Sequence, residues 1–229
     1  MEDDMNTCLH PCPLVFDLDG TLIDSAPDIR AAVNEVLAEN GLPALTLAEV
    51  HGFIGGGVEV LWRKIIAAKG LSPEDHARYV AAFLTRYEAA TGLSALYPGV
   101  TEALETLATR GHALAICTNK PLEPARAVLR KTGLDGFFRV VIGGDSLPVK
   151  KPDPAPVQAA LAALGADPLR PDGIYIGDSE YDASAALAAG VPFFLFTEGY
   201  RHLPVEEMTH HTSFSDFKNL PSLVEKLRD

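Results

Sequence analysis

Four small sets of polar residues each follow a short apolar run. Asp17 and Asp19 come after Leu14-Val15-Phe16, and Thr118 and Asn119 come after Ile116-Cys117. Lys150-Lys151 lies in the loop beyond Ile142, and Asp178 and Asp182 come after Ile174-Tyr175-Ile176-Gly177. Gathered in one cleft, the four carboxylates would oppose four negative charges to one or two lysines, and such a cluster cannot stay ionised without a cation. Oxygen-only donors with no His or Cys beside them select a hard divalent ion, Mg²⁺ ahead of zinc or copper. Mg²⁺ is commonly held by one or two carboxylates, waters and a substrate phosphate. The chemistry indicated is displacement at a phosphate ester.

The elements that must gather these groups are legible as alternating patterns. Leu14–Phe16, Ala113–Cys117, Arg139–Ile142, Ile174–Ile176 and Phe193–Phe196 read as buried strands, because none shows the polar alternation of a half-exposed strand. Between them Ala103, Leu104, Leu107 and Ala108 share one helical face, and Val157, Ala160, Leu161 and Leu164 share another. Strand alternating with helix predicts an α/β fold, a doubly wound parallel sheet with a Rossmann-like core. In such a sheet ligands bind beyond the carboxyl ends of the strands, where all four polar sets fall. The alternation breaks between Asp24 and Tyr97, where the pattern is helical throughout. Ile29, Val33, Val36 and Leu37 share a face there, and Ser72 caps a helix that begins at Pro73. The expected division is a core of residues 1–23 and 98–229 with an inserted α-helical cap domain of residues 24–97. The tail offers a short edge at Thr212-Ser213-Phe214 and a final helix.

Phe16-Asp17-Leu18-Asp19-Gly20-Thr21, Thr118-Asn119, Lys150-Lys151-Pro152 and Gly177-Asp178-Ser179-Glu180-Tyr181-Asp182 resemble, in order, the four motifs of the haloacid dehalogenase superfamily, in its branch with a helical cap between motifs one and two. The resemblance runs from Pro13 to Tyr200. It implies that Asp17 is a nucleophile forming an aspartyl-phosphate, and that Asp19 is a general acid and base whose backbone carbonyl also touches the metal. It further implies that Asp178 completes the metal contacts with Asp17, and that Asp182 orients Lys151 or a metal-bound water. Thr118 would bind a phosphoryl oxygen, with Asn119 beside it, and Lys151 would neutralise charge on nucleophile and phosphate. The family pattern favours Lys151 over Lys150, because Lys151 adjoins Pro152.

Within the superfamily, Asp24-Ser25-Ala26-Pro27-Asp28, Thr118-Asn119-Lys120-Pro121, Gly143-Gly144-Asp145 and Thr197-Glu198-Gly199-Tyr200 resemble phosphoglycolate phosphatases. So does Ile54-Gly55-Gly56-Gly57-Val58, a cap loop whose glycines permit close backbone approach to a small anion. Arg63, further along the helix that follows, is the expected partner for a substrate carboxylate, with His51 and Lys64 as weaker candidates.

The bulk properties agree. The 229 residues carry 19 Lys+Arg against 31 Asp+Glu, a net charge of -12 with no basic patch, which disfavours nucleic-acid and anionic-membrane partners. No apolar run approaches the roughly 18 to 20 residues of a membrane span, and the acidic opening Met1-Glu-Asp-Asp does not resemble a secretory signal. The expectation is a cytoplasmic protein, monomer or weak homodimer, whose partner is a small phosphorylated metabolite. Cys8, His10 and Cys12 form one short cluster without the second ligand pair of a zinc site, and Cys117 reads as a buried apolar residue. The leading function is a Mg²⁺-dependent phosphatase acting on 2-phosphoglycolate. The alternatives are a phosphosugar mutase of the same superfamily and a non-catalytic phosphometabolite-binding protein.

Overall fold

The computed structural model describes residues 11–89, 92–167 and 172–228. The chain runs through β1 (Pro13–Phe16), β2 (Ile23–Asp24), α1 (Ala26–Glu39), α2 (Leu47–His51), α3 (Val58–Lys69), α4 (His76–Ala89) and β3 (Ala95–Leu96). It continues through α5 (Val100–Thr109), β4 (Ala113–Cys117), α6 (Leu122–Thr132), β5 (Phe138–Ile142) and α7 (Ala155–Ala163). The last elements are β6 (Ile174–Gly177), α8 (Glu180–Ala189), β7 (Phe193–Phe196), β8 (Thr212–Phe214) and α9 (Leu220–Arg228). Six strands pair in parallel in the order β5-β4-β1-β6-β7-β8. The sheet is the doubly wound α/β fold that the alternation predicts.

Both faces of the sheet are apolar, and the period-two geometry of a strand assigns them. Leu14, Phe16, Ile116, Ile176, Phe194 and Phe196 face one core, packed with side chains of α5, α6 and α9. Val15, Ala115, Cys117, Tyr175, Phe193 and Leu195 face the other, against α7 and α8. β5 departs from the expectation of a buried strand. It lies at the sheet edge, half-buried, with Arg139 exposed, because only one neighbour covers it. Ala108 is exposed at the margin of its helix face, whereas Ala103, Leu104 and Leu107 are buried. Cys12 and Cys117 are buried as well, and burial pushes the Cys117 thiol up to about 12. Cys8 and His10 lie outside the described residues. Among the described residues no helix is long and apolar enough to cross a membrane.

Helices α1 to α4 build a third core of their own around Trp62, whose ring stacks on Tyr79 with centroids 5.0 Å apart. Two short strands absent from the helical reading, β2 and β3, pair antiparallel at the entry and exit of this layer. Two residues are too few to show a hydrophobic period, so the ribbon left no trace in the pattern. Asp28, in the first turn of α1, clamps the returning chain by accepting from the backbone N–H groups of Gly92, Leu93 and Ser94 at 3.1, 2.9 and 2.8 Å. Its carboxyl is buried, which opposes ionisation, but these donors and the Ser94 hydroxyl hold its pKa below the usual carboxylate value.

The helical layer also meets the core through a bridge. His202 Nδ1 is 2.7 Å from Glu180 Oε1 on α8, and its Nε2 is 3.0 Å from the carbonyl of Gly52 after α2. Burial raises the Glu180 carboxyl, but the hydrogen bonds of His202 outweigh it and hold the group at about 2 against an ordinary 4.5. A carboxyl depressed in the folded state stabilises fully above its unfolded value, and loses that contribution as pH falls through the folded one. Glu180→Gln is therefore expected to lower Tm at neutral pH, with the gap from wild type narrowing as pH falls from 4.5 toward 2. Thermal melts across that window check this, and a gap independent of pH would refute it.

Candidate active site

Register brings the polar sets together. Phe16 stands beside Ile116 on one side and Ile176 on the other, so the residues that follow emerge side by side at the carboxyl edge of the sheet. The backbone N–H of Asp17 donates to Ile176 O at 2.8 Å, and that of Thr118 to Ile142 O at 3.0 Å, which continues the ladder one residue beyond the strands. Thr118, Asn119, Lys151, Asp178 and Asp182 are all buried here, and Asp17 is 7% exposed.

At the centre is Lys151. Its Nζ lies 2.8 Å from Asp17 Oδ1, 2.6 Å from Asp182 Oδ1, 2.8 Å from the Tyr175 hydroxyl and 3.0 Å from the carbonyl of Cys117. Burial alone would drive the lysine toward neutrality, but the charges of Asp17 and Asp182 reverse that and keep it protonated. Lys150, by contrast, is half-buried and takes no part in this cluster. Asp182 is saturated. One oxygen accepts from Lys151, and the other accepts from the Ser179 hydroxyl at 2.6 Å and the Ser179 N–H at 3.0 Å, closing a capping box at the start of α8. Tyr175 had only a strand assignment in the sequence. Its signal was a hydroxyl inside an otherwise aliphatic buried strand, which requires a polar partner.

Asp178 is held from both sides. Thr21 Oγ1 donates to its Oδ1 at 2.7 Å, and the backbone N–H of Tyr200 donates to its Oδ2 at 2.7 Å. Gly20, at φ +87°, passes so near that a Cβ there would stand 2.5 Å from Asp178 Oδ2, so the turn requires glycine for both its conformation and its space. Asp17, Asp178 and Asp182 each present a carboxylate oxygen within 4.8 Å of the others. Burial pushes Asp17 up to about 7 against the pull of Lys151, and burial with repulsion from Asp182 and Asp17 raises Asp178 well above the usual range. Buried carboxyls that resist ionisation together, offering oxygen donors only, fit a divalent cation. All three carboxylates of this group could offer an oxygen to such an ion, and Asp182 is the one bonded to both Lys151 and Ser179.

Asp19 does not join that trio through its side chain. Its carboxylate turns toward the helical layer, where Lys120 Nζ lies 3.0 and 3.2 Å from its two oxygens. The cleft between sheet and helices is lined by Asp17, Asp19, Thr118, Asn119 and Lys120 on the core side. From the helical layer come Ile29, Ile54, Val58, Leu61, Phe83 and Tyr87, with Gly55 and Gly57 at the rim. The glycine loop does approach the core closely. A Cβ on Gly57, at φ +80°, would stand 3.0 Å from the carbonyl of Asn119, and Asn119 Nδ2 donates to Gly55 O at 3.2 Å. Gly56 packs on Val60 and does not line the cleft. Asn119 spends the rest of its amide on Lys151, donating to the carbonyl and accepting from the N–H, both at 3.0 Å.

The structure does not bring Arg63 to the cleft. It is exposed on α3, with Nε 3.4 Å from the carbonyl of Glu59 on its own helix. The helical spacing placed Arg63 after the glycine loop correctly, but the face of α3 turned toward the cleft is that of Val58 and Leu61. His51 packs its ring 5.0 Å from Tyr200, and Lys64 reaches Gly52 O at 3.4 Å.

Comparison with known proteins agrees with this geometry. Residues 14–196 match the model of the haloacid dehalogenase-like hydrolase family. The chain is 50% identical over 217 residues to a phosphoglycolate phosphatase of Cereibacter sphaeroides, covering 93% of this chain and 98% of that one. It is 46% identical over 215 residues to a phosphoglycolate phosphatase of Rhodobacter capsulatus, covering 93% and 96%. A crystal structure of a predicted phosphoglycolate phosphatase from Haemophilus somnus 129PT superposes with a TM-score of 0.86 at 32% identity, over 93% of this chain and 97% of that one. Sheet order, the four converging motifs and these similarities lead to one assignment: the chain belongs to the haloacid dehalogenase-like hydrolases.

Proposed function

We propose that the protein is a Mg²⁺-dependent phosphatase that hydrolyses 2-phosphoglycolate through an aspartyl-phosphate on Asp17, with residues 24–97 acting as a cap over the core of residues 1–23 and 98–229. The observation that carries the reading is the buried set of Asp17, Lys151, Asp182 and Asp178 at the edge of the sheet, with Asp19 beside it. The relatives that bear the name phosphoglycolate phosphatase at about half identity supply the substrate.

The family pattern suggests the roles, and the contacts support them. An Asp17 carboxylate oxygen attacks phosphorus as the bond to the leaving oxygen breaks, and Asp19 gives that oxygen a proton. In the second step Asp19 takes a proton from water, the water oxygen bonds to phosphorus, and the acyl-phosphate bond breaks to return Asp17. Lys151 offsets charge on Asp17 and on the phosphoryl oxygens, Thr118 is placed to hydrogen-bond one of them, and Asp182 positions Lys151. Mg²⁺, held by Asp17 and Asp178 with the backbone carbonyl of Asp19, would supply electrostatic stabilisation of the phosphoryl group and keep Asp17 ionised. Burial favours the protonated form of Asp17, and a protonated nucleophile does not attack. Asn119 acts through Lys151 and Gly55, which makes it a positioning residue. A sugar phosphate would need polar partners for its hydroxyls, and the cap side of the cleft is largely apolar, so the hydrolase reading stands ahead of the mutase.

Phosphate release with Mg²⁺ from 2-phosphoglycolate, phosphoserine, glucose 1-phosphate and a nucleoside monophosphate tests the reading. A preference for 2-phosphoglycolate of about tenfold or more in kcat/KM is expected, and a flat profile would withdraw the substrate. Asp17→Asn is expected to lower kcat by about 10³-fold or more, and chelation to halt turnover until Mg²⁺ is restored. Activity surviving either treatment would overturn the mechanism. Asp182→Asn, which leaves the nucleophile in place and loosens Lys151, should cost about 10- to 100-fold in activity. A variant as active as wild type would show that the lysine is held without it.

A further inference from the structure

The cleft contains a buried charge that the phosphoryl chemistry does not use. Lys120, in the loop between β4 and α6, is 7% exposed. Its Nζ contacts both oxygens of Asp19, hydrogen-bonds to the hydroxyl of Tyr87 on α4, and stands 4.3 Å from the centroid of the Tyr87 ring. Burial opposes its charge, but Asp19 and Tyr87 outweigh that and keep it an ammonium. Among the described residues that line the cleft it is the only cationic side chain, facing a wall made of Ile29, Ile54, Val58, Leu61 and Phe83.

We infer that Lys120 is the specificity-determining residue that receives the anionic end of the substrate, a carboxylate two bonds from the ester oxygen. The inference rests on the phosphatase reading above and gives its cap site a chemical class, small phosphate esters with a second, adjacent negative charge. The placement follows from Asp19. To protonate the leaving oxygen, Asp19 must lie within about 2.6 to 3.2 Å of it. A carboxylate attached through one methylene then falls beside whatever contacts Asp19, and Lys120 is 3.0 Å away. The Tyr87 ring holds the ammonium in position from the cap, so the pairing is completed only where cap and core meet. A neutral substituent in the same place would leave Lys120 on Asp19 and gain nothing from it. Arg63, exposed and outside the lining, has no part in this.

The test compares 2-phosphoglycolate with ethyl phosphate, which keeps the ester and lacks the carboxylate, in the wild type, Lys120→Met and Arg63→Met proteins. The wild type is expected to favour 2-phosphoglycolate. Lys120→Met removes a charge beside Asp19 and so lowers turnover of both esters, but it is expected to cut the preference for 2-phosphoglycolate over ethyl phosphate in kcat/KM by a further factor of about 30, the size of one buried charge-assisted hydrogen bond. Arg63→Met should leave both substrates unchanged. If the wild type shows no preference, the substrate reading fails and the inference falls with it. If the preference survives in Lys120→Met, the reading stands and the inference alone is overturned. Equal loss on both substrates would also overturn it, because Lys120 would then serve only to position Asp19. Ethyl phosphate turnover reports that the variant is folded, and Lys120→Gln replaces it if Lys120→Met does not melt cooperatively.

Discussion

A single ammonium group sets the geometry of this site. Lys151 Nζ sits among four oxygens, from the end of β1, from β4, from β6 and from α8, two of them on buried carboxylates. Removing an ammonium from water costs several kcal/mol, and this one is tolerated because Asp17 and Asp182 meet it at hydrogen-bond distance. The converse constraint is as strong. Asp17 and Asp182 are brought near Asp178, and only a cation between the first pair lets three carboxylates share so small a volume. Asp182 must therefore be fixed before the lysine can be, and Ser179 does this by using the start of α8 as a clamp.

The sheet, its strands and the four polar sets were legible because they obey strong local rules. A buried parallel strand is a short apolar run, and its carboxyl end is where a polar residue can appear. Phe16 followed by Asp17 and Ile176-Gly177 followed by Asp178 show both rules in three or four letters. The same reasoning identified Lys151 only through its proline neighbour and family pattern, and the structure separates it from Lys150 by burial. What stayed hidden depends on tertiary contact. Tyr175, Tyr200 and Thr21 act through hydroxyls or backbone groups whose partners lie far away in sequence, and no periodicity records them. Arg63 shows the limit from the other side. Charge and spacing marked it as a ligand for a carboxylate, but the direction of a side chain on α3 is decided by which face packs, and that face is apolar. Lys120 was visible as part of a motif, yet its role needed the distance to Asp19.

The helical layer and the sheet share few side chains, and those are unusually connected. Asn119 divides one amide between the Lys151 backbone and Gly55, while Lys120 lies between Asp19 and Tyr87. Both positions follow β4, so the loop after this strand reads the phosphoryl side and the cap side at once. Among the described residues, the hydrogen-bond and ion-pair partners of Lys151 all belong to the core. The charge cluster is thus built from core residues, and the helical layer supplies the apolar wall of the cleft.

Tyr200 carries this arrangement one step further. Its hydroxyl accepts from the N–H groups of Ser25 and Ala26 at 2.8 and 3.0 Å and donates to Asp24 at 2.6 Å, filling the place of the missing side-chain cap on α1. Its backbone N–H is the one that holds Asp178. The first turn of the helical layer is thereby pinned to the wall of the acidic cluster through one residue. The spacing between Asp178 and the root of the layer is thus set by the length of one tyrosine, from its backbone amide to its hydroxyl.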